Sequence, residues 1–286
     1  MKKILCPLVV IGTLVLGCNS HKENTSLKNP LFVYDFNLGH IEIYERLKML
    51  KSIGFDGVVL GFNPEDKNTL NYIKDYQNAI DSLRLALPIK AVFFWADFNS
   101  ELSDSVWKDL IITLRKDKIY PWPIIGGDRK KIDSSVVVKN MQKMADFAAQ
   151  NQLNLIIYPH DGAIIASAEE AIPFIKLSNK KNIKVSLHLC HELRAGNAKR
   201  LKKVIKNILP YWELGSLSGA DTVYYKDRAD WSDGIRPLAK TVFDVENFVK
   251  EVRSAGYSGP MVLHTYGIND SVPQHLINSF KIWKKY

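Results

Sequence analysis

Short apolar runs alternate with longer amphipathic segments along almost the whole chain. From residue 31 onward, each run of apolar and β-branched residues is followed by a loop and then by a segment of helical period. The predicted strands cover residues 31–36, 56–62, 89–95, 119–125, 155–158, 184–188, 214–218 and 261–265. The predicted helices cover residues 41–53, 68–86, 103–116, 134–151, 167–179, 197–208, 244–255 and 271–284.

The signals at the ends of these segments support the same division. Asp133 and Ser134 open the fourth helix with a capping residue, and Gly54 and Gly256 follow the first and seventh helices. Strands that alternate with helices need crossover connections and form a parallel sheet. Eight such units predict a single closed (β/α)₈ barrel over residues 31–286, and a doubly wound open sheet is the alternative.

The first 18 residues have a different character. Two lysines follow Met1, and an apolar run then extends from residue 4 to residue 16. This run is shorter than the roughly 20 residues that span a bilayer, and its position after a basic start is typical of a secretory signal. The run ends in LVLGC at residues 14–18, which resembles the lipobox of bacterial lipoproteins, whose cysteine becomes the lipidated first residue. We therefore expect residues 1–18 to be a signal peptide and Cys18 to carry the lipid.

Residues 19–30 are polar and lack an apolar face, which predicts a flexible tether between the lipid and the barrel. The resemblance to lipoproteins implies a place in the cell envelope, outside the cytoplasm. Asn19 stands where many lipoproteins of the inner membrane have aspartate, so the resemblance implies an anchor in the outer membrane.

Composition adds limits to this picture. The 286 residues are 46% hydrophobic, and the mean hydropathy of −0.12 excludes a protein with many membrane spans. Lysine and arginine exceed aspartate and glutamate by 39 to 30. Basic runs occur at 180–181, 199–206 and 281–285. The first two flank predicted helices, where we interpret the lysines as a solvated outer face, and we expect no nucleic-acid partner. Once Cys18 is lipidated only Cys190 remains in the mature chain, which excludes an intramolecular disulfide.

Histidines provide the strongest indication of chemistry. In a (β/α)₈ barrel the active site lies at the carboxyl ends of the strands, and four of the seven histidines follow strands of the second half. One buried histidine is usually structural, whereas four that converge on one pocket favour a site. A neutral imidazole takes up and releases protons near neutral pH. We therefore predict catalytic roles for His160, His188 and His191, with His264 beside them.

Other side chains at the strand ends are candidates for substrate contacts. Aromatic rings stack on the apolar face of a sugar, and a basic side chain holds an oxyanion. The predicted substrate-binding residues are Tyr158, Trp95, Asp221, Arg236 and Tyr266.

Four segments of the second half resemble one known family. They are IYPH at 157–160, LHLCHEL at 187–193, SGAD at 218–221, and GYSGP at 256–260 leading into VLH at 262–264. Together and in this order they resemble the xylose isomerase-like barrels, which include sugar isomerases, sugar-phosphate epimerases, inosose dehydratases and endonucleases. Isomerising members typically bind one divalent metal through Glu, Asp, His and Glu at the ends of the fifth to eighth strands. The matching positions here are Tyr158, His188, Ser218 and His264, and none of them keeps the family's residue.

This departure bears on the cofactor. Manganese and magnesium favour carboxylate oxygens, whereas imidazole favours zinc or another later transition metal. One divalent metal on His160, His188 and His264 is one hypothesis, and acid–base chemistry by the same histidines without a metal is the other.

The resemblance implies an extracytoplasmic sugar isomerase or epimerase that moves a proton next to a carbonyl of a small carbohydrate. The alternatives are a keto-glycoside lyase or hydrolase, and a barrel that binds carbohydrate without turning it over. The sequence specifies no oligomeric state.

Overall fold

Eight parallel strands form a barrel, which confirms the predicted fold class. The structure is a computed structural model that describes residues 28–66, 68–99, 105–222 and 230–286. Each observed strand begins and ends within two residues of its predicted bounds. The strands are β1 Leu31–Tyr34, β2 Gly57–Phe62, β3 Ile89–Asp97, β4 Tyr120–Gly126, β5 Leu155–Ile157, β6 Ile183–His188, β7 Trp212–Leu217 and β8 Met261–Leu263.

The strands follow one another around the ring in chain order. β1 pairs with both β2 and β8, and the sheet runs from β4 through β1 and β8 to β5. A parallel bridge between Ile124 and Tyr158 joins the two outermost strands. The Ile164 amide extends this seam by donating to the carbonyl of Ile125 at 2.9 Å. These hydrogen bonds bring the ends of β4 and β5 together, so the ring of strands is nearly closed.

The helices surround the strands. They are α1 Ile43–Ile53, α2 Thr69–Leu83, α3 Ser105–Leu114, α4 Ser134–Gln150, α5 Ala168–Ser178, α6 Leu189–Arg194, α7 Leu201–Ile208, α8 Val245–Ser254 and α9 Val272–Trp283. The sequence pattern did not predict α6, a six-residue helix that begins directly after β6. None of the helices in the described ranges is long and apolar enough to cross a membrane. The predicted signal peptide, Cys18 and nearly all of the tether lie outside the described residues.

Alternation along the strands sorts the side chains into two layers. The outer layer, which includes Val33, Val92 and Ile125, packs between the strands and the helices. The inner layer fills the barrel, because successive side chains of a strand point to opposite faces. Its buried members are Phe32, Tyr34, Val59, Ala91, Trp122, Ile124, Ile156, Tyr158, Ala163, Leu214 and Val262.

Asp35, at the end of β1, belongs to the outer layer rather than to the pocket. Its carboxylate lies 3.3 Å from the guanidinium of Arg46 and accepts a hydrogen bond from the Tyr72 hydroxyl at 2.5 Å. The Tyr76 hydroxyl donates to the same carboxylate oxygen at 3.3 Å. Burial raises the pKa of Asp35, and the hydroxyl of Tyr72 and the charge of Arg46 oppose that rise. This cluster joins α1 and α2 to the carboxyl end of β1.

We predict that Arg46→Ala destabilises the protein by about 3–5 kcal/mol, since it leaves a buried carboxylate without its cation. Urea unfolding followed by circular dichroism measures the loss. The control is Lys48→Ala, which breaks an exposed pair with Glu45 and should cost less than about 1 kcal/mol. Equal losses in the two variants would contradict the role given to the cluster.

Candidate functional site

The carboxyl ends of the strands surround a cavity of about 290 Å³. This volume lies near the lower limit of about 300 Å³ for small-molecule pockets. Its walls are mostly aromatic and apolar, with three imidazoles among them. The cavity is lined by Phe36, Phe93, Ile124, Tyr158, His160, His191, Trp231, Ile235, His264 and Tyr266. Two of the three predicted catalytic histidines therefore face the cavity.

His160 and His191 lie side by side, with ring centroids 4.3 Å apart. The backbone of Asp161 separates their roles. Its carbonyl accepts a hydrogen bond from Nδ1 of His160 at 2.6 Å, and its amide donates to Nδ1 of His191 at 3.1 Å. A carbonyl only accepts and an amide N–H only donates, so Nδ1 carries the proton in neutral His160 and lacks it in neutral His191.

The two rings consequently present opposite functions through their Nε2 atoms. Nε2 of His160 has a lone pair that can take up a proton, whereas Nε2 of His191 carries a hydrogen that it can donate. Nε2 of His191 is buried and has no hydrogen-bond partner in the described structure. A buried donor without a partner is rare and costly in proteins. Because His191 lines the cavity, this N–H is a candidate donor to a ligand oxygen.

Burial keeps the histidines of this region neutral. It lowers the pKa of His160. It also places the pKa of His191 well below its usual range, and the neighbouring histidines add to this second shift. The pKa of His264 falls to about 3, mainly through burial and secondarily through proximity to His160. Because a charged imidazole is disfavoured here, the tautomers described above are the forms present at neutral pH.

His188 lies beneath the cavity rather than in its wall. Its ring stacks on Tyr158 with centroids 3.8 Å apart, and Nε2 lies 2.9 Å from the Ser186 hydroxyl. The indole N–H of Trp122 donates to the same hydroxyl at 2.8 Å. This arrangement gives His188 a positioning role, since it holds the ring of Tyr158 from below and does not line the cavity.

His264 occupies a different part of the wall from His160 and His191. Its Nε2 lies 3.5 Å from the Tyr158 hydroxyl, and its ring packs on Tyr34 with centroids 4.5 Å apart. The Tyr266 amide donates to its Nδ1 at 3.4 Å. Tyr158 and His264 are thus linked by a hydroxyl–imidazole contact that faces the pocket.

The predicted metal site is not formed. Within the described ranges, no three side chains of histidine, cysteine, aspartate or glutamate lie close enough to hold one ion, so His160, His188 and His264 do not converge as ligands. Nε2 of His188 is hydrogen-bonded to the Ser186 hydroxyl, and the hydroxyl of Ser218 donates a hydrogen bond to the Gly234 carbonyl, so both groups already have protein partners. These residues do not fit the divalent metal that the family resemblance implies.

Carboxylates near the pocket do not replace the missing ligands. Glu192 follows His191 in α6 but accepts hydrogen bonds from the Ala168 amide at 2.7 Å and from Asn197 at 2.6 Å. Burial raises the pKa of Glu192 to about 7. It anchors the first turn of α5 and does not line the cavity.

The other predicted substrate residues divide into two groups. Trp95 and Tyr266 are 44% and 50% exposed and stand at the rim, where Trp95 meets His160 edge to face at 5.8 Å. Asp221 and Arg236 form an ion pair with each other at 2.6 Å, and neither side chain lines the cavity. The structure therefore gives Asp221 and Arg236 a place in the loop after β7, outside the pocket.

Arg194 is a positioning residue that the sequence analysis missed. Its guanidinium lies 3.6 Å from the centroid of the Trp231 ring and bonds to the Asp233 carboxylate at 3.2 Å. Trp231 in turn meets His191 with ring centroids 4.8 Å apart. Arg194 thus holds the loop after β7 against the two histidines. No local sequence signal indicates this contact, because 37 positions separate Arg194 from Trp231.

Phe36 and Phe93 were also missed, although the sequence contains a signal for them. Phe93 and Trp95 are two positions apart in β3, so both face the barrel interior. Phe36 continues the inward series of Phe32 and Tyr34 in β1 and stacks on Tyr34 at 5.1 Å. Counting alternate positions from the predicted strands would have placed both phenylalanines in the pocket.

A (β/α)₈ barrel with its pocket at the carboxyl ends of the strands defines the class of protein. Residues 121–285 match the xylose isomerase-like TIM barrel family, and the match covers more than half of the chain. The protein belongs to this family, which confirms the resemblance seen in the motifs of the second half. Comparison with curated proteins gives no match.

Solved structures share the fold at low sequence identity. The probable 3-DHS dehydratase AsbF of Bacillus anthracis superposes with a TM-score of 0.71 at 14% identity, over 90% of this chain and 98% of that one. The 3-keto-D-glucoside 4-epimerase YcjR of E. coli gives 0.70 at 13%, over 91% and 100%. The IolI protein, whose structure contains zinc, gives 0.66 at 15%, over 89% and 96%. At these identities the likeness establishes the fold alone.

The neutral state of His264 predicts a specific loss of stability in acid. Its pKa is about 3 in the folded protein and near its ordinary 6.5 when unfolded, so the unfolded state binds the proton first as the pH falls. The contribution of His264 to the free energy of unfolding is fully present above pH 6.5. It decreases by about 1.4 kcal/mol for each pH unit between 6.5 and the pKa of the folded state. Urea unfolding between pH 7 and pH 4 should therefore show a shallower dependence in His264→Phe. Parallel curves for the two proteins would contradict this environment for His264.

Proposed function

We propose that the protein is an enzyme that moves a proton on a carbon next to a carbonyl group of a small carbohydrate. The observation that carries this proposal is the pair of neutral imidazoles with opposite tautomers, His160 and His191, in one cavity. Abstraction of such a proton needs a base for the carbon-bound hydrogen and a donor for the oxygen that becomes negative. The two histidines supply one of each.

The reaction follows from these positions. Nε2 of His160 takes the proton from the carbon, and the electron pair of the broken C–H bond forms the enolate. Nε2–H of His191 donates to the enolate oxygen and stabilises its charge. The imidazolium of His160 then returns the proton to the neighbouring carbon of the enediol, which gives isomerisation. If it instead loses the proton to solvent while another proton reaches the opposite face of the same carbon, the result is epimerisation. If a leaving group departs from the next carbon instead, the same first step gives elimination.

Burial also matches the histidines to this chemistry. Because the apolar walls lower the pKa of His160, its base form is the one present at neutral pH. The same burial strengthens a hydrogen bond from His191, since the local dielectric around its buried N–H is low. The Tyr158 hydroxyl, in contact with His264, is a second donor for a substrate hydroxyl.

The aromatic walls favour a sugar as the substrate. Phe36, Phe93 and Trp231 present apolar faces to the cavity, and Tyr266 stands at its rim. A pyranose ring has an apolar C–H face that packs on such rings. AsbF is described as a probable dehydratase and YcjR as a keto-glucoside epimerase, and both support this class of reaction for the fold. We place the enzyme in the cell envelope, held by the predicted lipid at Cys18, where free sugars and glycosides are the available substrates.

Exchange of hydrogen with solvent tests the proposal. Ketoses and 3-keto-glycosides are incubated with the protein in D₂O, and deuterium on the carbon next to the carbonyl is measured by NMR. We expect exchange with the wild type, a loss of about 10²-fold or more in kcat for His160→Asn, and a loss of about 10²–10³-fold for His191→Phe.

The matched control is His40→Ala, an exposed histidine at the same end of the barrel that does not line the cavity. Its exchange rate should equal that of the wild type. Exchange that survives in both His160→Asn and His191→Phe would contradict the assigned roles. Tight sugar binding with no exchange in the wild type would identify a carbohydrate-binding barrel instead.

A further inference from the structure

The end of the barrel opposite the pocket is strongly basic. We define the basic end by three sets of residues. The first is residues 28–30, and the second is the last three residues of each helix that leads into a strand, together with the loop between that helix and the strand. The third is the last three residues of α9 together with residues 284–286. It contains 14 lysines and arginines but only three aspartates and no glutamate. The excess of cations here is larger than the net charge of +9 of the whole chain.

The pocket end has the opposite sign. The pocket end comprises the described loops that follow the strands, each with the first three residues of the next main helix. It contains 17 acidic residues and 10 basic ones. The charges are therefore sorted between the two ends of the barrel. Such a separation creates a field that orients the molecule near a charged surface.

Many cations of the basic end have no acidic partner. Lys116 and Lys180 pair with aspartates. The exposed side chains that form no ion pair with any described residue are Lys28, Lys51, Arg84, Arg115, Lys118, Lys176, Lys181, Lys206, Lys281, Lys284 and Lys285. A depression of about 530 Å³ at this end is lined in part by Lys28, Arg253, Lys284 and Lys285, so four of the cations border one concave surface, together with one acidic residue, Asp56.

An exposed apolar side chain accompanies the charges. Leu177, in the last turn of α5, is 63% exposed, more than any other large hydrophobic side chain in the described part of the chain. It lies between Lys176 and the lysines at 180 and 181 in the sequence. Cations around an exposed leucine are the combination that binds a lipid surface, since the cations meet the phosphates and the leucine enters the interface.

The path of the chain leads to the same end. Lys28 precedes β1 and lines the depression at the basic end, so the tether reaches the barrel there. Nine residues lie between Cys18 and Lys28, and the ten residue steps from one to the other span at most about 35 Å when fully extended. A lipid at Cys18 would therefore keep the basic end near the bilayer.

We propose that the basic end docks on a bilayer of anionic phospholipid, with the pocket facing away from the membrane. The cations contact headgroup phosphates and Leu177 enters the interface, while the acidic pocket end is repelled. This inference goes beyond the proposed reaction and uses the predicted lipid at Cys18 only to bring the surface near. It assigns a function to the lysine-rich ends of α5 and α9 that catalysis does not use.

Two exposed serines at opposite ends test the orientation. Ser258 lies in the loop before β8 at the basic end, and Ser271 lies before α9 at the pocket end. Ser258→Cys and Ser271→Cys are each labelled with a fluorophore, because Cys190 is buried and its thiol has a pKa raised to about 12. The full chain, processed in a bacterial host, is reconstituted on phosphatidylcholine vesicles that carry a headgroup quencher, with or without an equal amount of phosphatidylglycerol.

We expect stronger quenching at position 258 than at 271, with a contrast that rises with phosphatidylglycerol and falls in high salt. The variant Lys181→Glu, Lys284→Glu and Lys285→Glu should remove the dependence of the contrast on phosphatidylglycerol and salt, since each cation near an anionic surface contributes roughly fivefold to binding. The control variant Lys130→Glu, Lys199→Glu and Lys203→Glu makes the same charge change at the pocket end and should preserve the contrast.

Three outcomes would overturn the proposal. They are equal quenching at the two positions, a contrast that ignores phosphatidylglycerol and salt, and failure of the chain to associate with either vesicle. Hydrogen exchange on the sugar substrate is measured separately in detergent, so a failure of docking is distinguishable from a failure of the proposed reaction.

Discussion

The peptide backbone of Asp161 is the constraint on which the site depends. Its carbonyl accepts a hydrogen bond from His160 and its amide donates one to His191, so the two imidazoles adopt opposite tautomers. A side chain could rotate away from such a role, whereas the backbone of Asp161 lies in a turn after β5. Hydrogen bonds from the His160 amide to the Ile165 carbonyl and from the Ala163 amide to the His160 carbonyl hold this turn. The aromatic and apolar surroundings complete the arrangement by excluding the charged forms of both rings. Base and donor are therefore both present before any substrate arrives.

The barrel makes this arrangement possible by bringing distant segments together. His160 follows β5 and His191 lies in α6, just after β6, and the two strands are neighbours in the ring. Beneath them, Trp122, Ser186 and His188 form a buried network that supports Tyr158. On the other side of the histidines, the guanidinium of Arg194 packs on the indole ring of Trp231. These contacts hold Tyr158 from below and His191 from the side of the loop after β7.

The fold was predictable because it depends on local patterns. Apolar runs, helical period and capping residues placed all eight strands within two residues, and the rule that barrel pockets lie at strand ends brought His160, His191, His264 and Tyr158 to the correct place. The rest depends on contacts that sequence spacing does not encode. Whether His188 faces the pocket or lies beneath it is decided by its stacking on Tyr158, and Asp221 and Arg236 are removed from the site by pairing with each other. The predicted ligand set of His160, His188 and His264 does not converge in the described structure for a similar reason, since strand ends bring residues near one another without aiming three nitrogens at one point.

The most direct test of the account is the protonation state of the two histidines. Nitrogen-15 NMR of the imidazoles at pH 7 distinguishes a proton on Nδ1 from a proton on Nε2, and assignment uses His160→Asn and His191→Phe. The account predicts two neutral rings of opposite tautomer, with the proton on Nδ1 in His160 and on Nε2 in His191. The same tautomer in both rings, or a charged imidazolium in either, would contradict it.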